Sequence, residues 1–455
     1  MKRFAFHWLA VSSLLLGLLA SAETRPQYGG TLRIAMHAAP LTLDPGDEKI
    51  PDSFARRNLA PLLFDTLVTW DEAARVKPGL AESWQATRAN QRWQFRLRRG
   101  VKFHDGTALT ADAAAASLRA VNPTWSVRGD GDSIVIDCDG ARPEMLAELA
   151  LARNAIVKRD SDKAIGTGPF QVVDWQPGKK LTLAANEEGW RGRPFLDGIE
   201  VEMGRSYREQ LSALDLGKED LIEVAPEQVN HFSASRGRLV DSDPVELVAL
   251  VFSRDFSSSE EKILRQGLAL SVERESMHNV LLQGVGQSAG GLLPTGMSGY
   301  GFVFPVQADL AKARQLRQQV HVVPIWTLGY DADDSLGRLL AERVALNAKD
   351  AGLSLVPTSP GTVDLRLLRI PLSSFNPWVA LERVAALAGV PALKGGSGSV
   401  EDLYHAEQSV LSSERVIPLF HLPVPYASTL KLKDWSVRSD GSLLLSEAWL
   451  ESVRP

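Results

Sequence analysis

Hydrophobic and polar positions follow two rhythms along this chain. Thr31 to Met36 alternates with a period of two, the pattern of a strand that buries one face, and Trp93 to Leu97 does the same. Ser133 to Asp137 predicts another short strand. Between them the period changes. Thr110 begins a helix whose run Ala113 to Ala116 has high helix propensity, and Pro143 opens the next helix at a first-turn position that tolerates proline. Further on, His321 to Leu328 predicts a strand, Ser335 to Ala351 a helix ended by Gly352, and Leu353 to Val356 and Asp364 to Leu368 two more strands. That helix places Leu336, Leu339, Leu340, Arg343 and Val344 on one face. Strand, helix and strand in succession predict α/β units with a mostly parallel sheet. No internal repeat is visible, and Gly395 to Ser399 reads as a surface loop.

The N-terminus follows neither rhythm. Lys2 and Arg3 precede an apolar run from Trp8 to Ala20, closed by Ala20-Ser21-Ala22 before Glu23. Positive start, apolar middle and small-residue end predict a signal peptide over residues 1–22, cleaved on export. The run is shorter than the roughly 20 apolar residues that cross a bilayer. No cysteine closes it, so a lipid-modified N-terminus is not expected. Cleavage removes Lys2 and Arg3 and no acid, taking the formal charge from -5 to -7. No second apolar stretch is long enough to span, so the expected location is the periplasm.

Composition narrows the classes. A chain of 455 residues suits two or three domains, and 44% apolar against 23% charged residues is the balance of a folded protein. With 50 Lys plus Arg against 55 Asp plus Glu there is no basic excess to attract a polyanion, so no nucleic-acid partner is expected. The single cysteine, Cys138, forbids an intrachain disulfide and a zinc site built on several thiolates.

Three catalytic patterns occur, each in the wrong context. Gly286-Gln287-Ser288-Ala289-Gly290 matches G-x-S-x-G, but that motif needs a strand before the serine and a helix after it. Glu273 to Leu282 reads as helix, and Pro294 follows too soon for a regular helix, so a glycine-rich loop is predicted. Gly284-Val285-Gly286 lacks the preceding strand of a dinucleotide site. The eight histidines are scattered, and His104-Asp105-Gly106 is first of all a turn. With no defensible nucleophile, base or metal site, the chain is predicted not to be an enzyme and to need no cofactor.

Ordered blocks between Gly29 and Trp190 carry a resemblance. They are Gly29-Gly30-Thr31-Leu32-Arg33, Leu43-Asp44-Pro45, Leu63 to Val68, Pro78 to Trp84, Trp93 to Gly106, Leu109 to Asp112, Gly166-Thr167-Gly168-Pro169-Phe170 and Asn186 to Gly192. In this order they resemble the family 5 extracellular solute-binding proteins, the peptide- and nickel-type receptors of ABC importers. Arg265 to Arg274, Gly284 to Pro294 and Ala406 to Phe420 continue the resemblance more loosely. It implies an α/β, two-lobed periplasmic-binding-protein-like fold of type II, the large class with an extra domain on the first lobe. The first lobe is expected at 23–250, with an inserted subdomain near 58–162 and completion by 429–455; the second lobe is expected at 251–428. The implied activity is capture of a peptide-like or other small solute by hinge closure, as a monomer, and its delivery to ABC permease subunits.

The resemblance also implies where ligand contacts lie. Lys49 and Asp52 follow the Leu-Asp-Pro loop, and Arg369, Ser373, Asn376 and Trp378 surround the second-lobe anchor. Peptide-binding members carry there an aspartate for the α-amino group; alignment on Pro377 puts Ser373 in its place, and a hydroxyl cannot neutralise a buried ammonium. Arg369 reads equally as a carboxylate or phosphate clamp and as a solvated strand residue. The tryptophans Trp70, Trp84, Trp93, Trp175 and Trp190 are expected to pack, and Arg92, Arg96, Arg98 and Arg99 to form an exposed strand face. Two other readings remain: a non-transport sensor or chaperone on the same scaffold, and a secreted serine hydrolase using Ser288.

Overall fold

The computed structural model describes residues 25–47, 54–71, 74–161, 163–300, 304–359, 361–372, 374–391 and 399–451. The signal peptide 1–22, Lys49, Asp52, Ser373 and residues 395–398 of the glycine-serine loop lie outside the described residues.

Two large sheets organise the described residues. The first has seven strands in the order Phe170–Gln176, Lys180–Ala185, Gly198–Glu202, Thr31–Ala35, Leu221–Glu223, Pro425–Ser428 and Arg238–Asp241. The second has six, in the order Gln287–Ser288, Val416–Leu422, Glu246–Phe252, Leu365–Pro371, Ile325–Gly329 and Ser354–Thr358. Each has its own core: Leu32, Ile34, Leu181, Ile199 and Trp435 in one, Leu250, Phe252, Trp326, Leu340 and Leu419 in the other. Separate cores make two lobes.

A smaller four-stranded antiparallel sheet stands on the first lobe. Its strands are Ala81–Thr87, Arg92–Leu97, Ser133–Asp137 and Ser126–Asp130. The helix Ala111–Val121 covers it, packing Ala114 and Leu118 against Phe95, Ile134 and Ile136. Thr110 caps that helix, its side chain accepting from the Ala113 amide.

The chain passes between the large sheets twice. It leaves Arg238–Asp241 through Ser242-Asp243-Pro244-Val245 to enter Glu246–Phe252, and it returns from Val416–Leu422 through Pro423-Val424 to Pro425–Ser428. The two links lie side by side. The Val424 amide donates to Ser242 Oγ at 2.9 Å, the Ser242 amide to the Val424 carbonyl at 3.2 Å, and the Val245 amide to the Leu422 carbonyl at 3.0 Å. The expected boundaries 250 and 428 fall inside strands; strand pairing puts the crossings at 242–245 and 423–424.

The sheets are mixed, which corrects the expectation of mostly parallel ones. Thr31–Ala35 pairs in parallel with both its neighbours, as does Ile325–Gly329. The remaining neighbours in both sheets run antiparallel. Links as short as Pro177-Gly178-Lys179 leave no room for a crossover helix, so those strands must reverse. The strand expected from His321 begins at Ile325, because Pro324 offers no amide to a ladder. The helix expected to open at Pro143 runs over Met145–Leu149, with Glu144 as its cap. In Ser335–Asp350 the buried face keeps Leu336, Leu340 and Val344 but turns toward Gly337, Ala341 and Ala348. Leu339 is 42% exposed, and Arg343 pairs with Glu273 on the surface at 3.2 Å. Small residues let the helix sit closer to the sheet than a leucine stripe would. No described helix is long and apolar enough to cross a membrane.

His421 is buried in the returning strand, its Nε2–H facing the Leu292 carbonyl at 3.2 Å. Burial pushes its pKa down to about 4, against which that one hydrogen bond works only weakly. The unfolded chain therefore takes up a proton near pH 6.5 that the folded chain refuses until about pH 4. Stability is lost as pH falls through that window, by about 3 kcal/mol at most. Glu219 works oppositely, since burial and then Glu202 push its carboxyl up to about 7. Urea unfolding at pH 7 and pH 4.5 should show His421→Gln losing less stability on acidification than the parent; equal losses would exclude this role.

Candidate functional site

A cavity of about 780 Å³ lies where the first lobe and its inserted sheet face the second lobe. Phe64, Asp65, Trp70, Leu151 and Arg191 line the first-lobe side; Ser374, Val379, Glu382, Arg383 and Leu387 line the other. The second-lobe wall is largely the helix Pro377–Leu387.

Asp65 fixes the floor. Its side chain is 3% exposed and accepts from Thr167 Oγ1 at 2.8 Å and Trp190 Nε1 at 2.9 Å, while Arg191 pairs with it at 3.0 Å. The Arg191 guanidinium lies 4.5 Å from the centre of the Trp190 ring, with Arg98 at 4.8 Å. Three blocks distant in sequence thus meet at one carboxylate. The glycines of Gly166-Thr167-Gly168 let this happen: a Cβ at either position would overlap the backbone around Leu63. On the same wall Arg57 Nη1 donates to the Asp440 carbonyl at 2.6 Å, so the C-terminal stretch closes part of the cavity.

Apolar contacts bridge the lobes at the rim. Trp70 meets Phe375 edge-on with ring centres 5.4 Å apart, and Ala147 and Leu151 pack with Val379 and Trp70. Trp70, expected to pack, also lines the cavity. Glu382 faces into the cavity from the second lobe. Its pKa is raised by desolvation and then by Glu148 across the cleft.

The second-lobe residues singled out in the sequence lie elsewhere. Arg369 gives Nε and Nη2 to Glu246 Oε2, at 2.8 and 2.5 Å, and reaches Asp334 at 3.7 Å. It is therefore paired inside its own lobe, with its charge also acting on Tyr207, Glu223 and Glu227 of the first lobe. Burial works against its ionisation, yet Glu246, Tyr207 and Asp334 together hold its pKa well above the ordinary value. Asn376 caps the cleft helix, its Oδ1 accepting from the Trp378 and Val379 amides at 2.9 and 3.3 Å. Trp378 is buried with Leu372 and Leu381. Asn376 and Trp378 border a separate hollow of about 420 Å³, and none of the three lines the large cavity. Asn before Pro at a helix start is a cap signature that the sequence already carried. No comparable signal marked Glu382.

Nor is Ser288 assembled as a nucleophile. Its Oγ is buried without a hydrogen-bond partner, whereas an activated serine needs a base within reach. The nearby imidazoles face backbone: His278 reaches the Gly286 carbonyl at 3.1 Å, and His421 the Leu292 carbonyl. Gly286 has φ +80° and lies against the His421 carbonyl, so glycine at this position serves close approach. Among the described residues no group of three or more His, Cys, Asp or Glu is placed to hold a metal ion.

The profile of the bacterial extracellular solute-binding proteins, family 5 (Middle), matches residues 75–359, well over half of the chain. The chain belongs to this family. Among family 5 relatives, the nickel-binding protein NikA of Staphylococcus aureus is 23% identical over 288 residues, 60% of this chain and 57% of its own. The oligopeptide-binding protein AppA of Bacillus subtilis is 25% identical over 295 residues, 58% of this chain and 54% of its own. The chain thus spans little more than half the length of these curated relatives. Superposition reaches further. Staphylococcus aureus NikA in complex with Ni(L-His)2 aligns with TM-score 0.78 at 17% identity, over 92% of this chain and 100% of that one. The dipeptide-binding protein of Pseudoalteromonas sp. SM9913 in complex with Met-Leu aligns with TM-score 0.81 at 15% identity, over 93% and 100%. The two-lobed fold of family 5 is therefore shared along nearly the whole chain.

The Asp65 knot gives an asymmetric prediction. Asp65→Ala strands Thr167 and Trp190 in a buried setting and should cost about 3 kcal/mol in urea unfolding. Arg191→Ala removes a half-exposed partner and should cost under about 1 kcal/mol. Equal costs would show that the ion pair, and not the buried hydrogen bonds, carries the knot.

Proposed function

We propose that this chain is the substrate-binding component of an ABC importer, exported to the periplasm as a monomer by its leader at 1–22. It holds a small organic solute between two lobes and presents the closed form to a membrane permease. The observation that carries this reading is the cavity of about 780 Å³ whose walls come from both lobes, beside which Trp70 meets Phe375 across the lobes. A solute touching both walls stabilises the closed arrangement more than the open one, which is all that hinge closure requires. The lining supports an organic solute, since Phe64, Trp70, Leu151 and Leu387 stand among charged side chains. No covalent step is needed. The relatives named for nickel and for oligopeptides frame the range of ligands, and the identities leave the choice to this chain's own residues.

Small-angle scattering with Met-Leu and with the nickel–histidine complex as probes tests closure. The expected result is a smaller radius of gyration with one probe. Trp70→Ala should weaken that probe by about tenfold, the cost of losing an aromatic anchor at a closing rim. An unchanged radius together with no heat of binding for either probe would count against the reading.

A further inference from the structure

Two helices from different lobes each keep one apolar side chain outside their own core. In the inserted subdomain the helix Met145–Leu149 sends Met145 and Leu149, one turn apart, into the core with Phe95 and Ile134. Ala147 lies on the opposite face of that helix, yet it is only 4% exposed. In the second lobe the helix Pro377–Leu387 buries Trp378, Leu381, Val384 and Ala385 with Leu247 and Ile370. Val379 stands outside that core, yet it is only 6% exposed. The two side chains are buried in one cluster, with Leu151 and Trp70. Phe375, just before the second-lobe helix, adds its ring edge-on against Trp70. Each lobe thus covers apolar surface that the other leaves uncovered.

We infer that this seam is a latch, and that Ala147 and Phe375 are positioning residues that set the affinity of the cleft without touching the solute. The inference rests on the proposal that the lobes close over a solute. Trp70, Leu151 and Val379 line the cavity as well as the seam, whereas Ala147 and Phe375 do not line it. Separating the lobes returns Ala147, Val379 and the faces of two aromatic rings to water, at a cost that grows with the apolar area exposed. Every contact in the seam is made between side chains of the chain itself. The seam therefore favours the closed arrangement by the same amount whatever solute enters the cleft. A solute that binds only the closed arrangement is held in proportion to the fraction of molecules that adopt it. The latch is thus a common factor in every affinity, and the cavity lining sets the differences between solutes. It also gives the inserted subdomain a task, since Ala147 carries the first-lobe side of the latch together with Leu151.

Small-angle scattering without any probe tests the latch on the parent, Ala147→Asp, Phe375→Ala and Phe375→Tyr. Ala147→Asp sets a charge against Val379, and only an open arrangement leaves that charge hydrated. Phe375→Ala removes one ring of the pair, and Phe375→Tyr keeps it. The expected result is a larger radius of gyration for Ala147→Asp and Phe375→Ala than for the parent, and the parent value for Phe375→Tyr. Titration calorimetry with Met-Leu and with the nickel–histidine complex follows. Whichever probe binds the parent should bind the first two variants about tenfold more weakly, with Phe375→Tyr restoring the parent affinity. Phe375 is only half-buried, so Phe375→Ala keeps the test open if Ala147→Asp does not fold. Equal radii for the parent and the folded variants would overturn the latch and leave the cleft as binding site. Larger radii with unchanged affinity would overturn the positioning role. If neither probe binds, the binding reading loses its support, and the radii alone decide the latch.

Discussion

The Asp65 carboxylate is the constraint on which the cleft depends. It holds the end of the helix Phe54–Leu63, the Gly-Thr-Gly-Pro-Phe turn and the Trp190–Arg191 pair in one place. Buried carboxylates are tolerated only when their lone pairs are used, and here a hydroxyl, an indole and a guanidinium use them. The floor of the cavity is therefore held by the chain's own side chains. What remains adjustable is the distance to the opposite wall, carried by the helix Pro377–Leu387.

The second lobe is stiffened by similar means. Glu407 accepts from the Leu292 and Leu293 amides and from the Tyr300 hydroxyl, which ties the glycine-rich loop to the helix Val400–Ser412. Arg369 binds Glu246 and approaches Asp334 across neighbouring elements of the same lobe. Charged side chains that looked available in the sequence are consumed in keeping each lobe rigid.

Strand positions were legible in the sequence because alternation reports which face is buried. Ser133–Asp137 runs over the expected residues, and Thr31 begins its strand as expected. Strand direction was not legible, since alternation is the same for either orientation and only link lengths distinguish them. The family blocks located Asp65, Thr167 and Trp190 but not their meeting, because contacts more than a hundred residues apart leave no local pattern. Site residues were least legible. Arg369 stands in an alternating strand whose partner Glu246 comes from another strand, and Glu382 sits in an apolar helix where a single acid reads as a solvated face.

The two links between the lobes carry a mechanical consequence. Pro244, Pro423 and Pro425 each lock one backbone angle near about −65°, and the Ser242–Val424 hydrogen bonds hold the links together. Few torsions are left to absorb a change of angle between the lobes. The joint is a pair of adjacent pins, and the torsions left to it are those the prolines do not fix. Any change of angle between the lobes has to be taken up within these two short, paired segments.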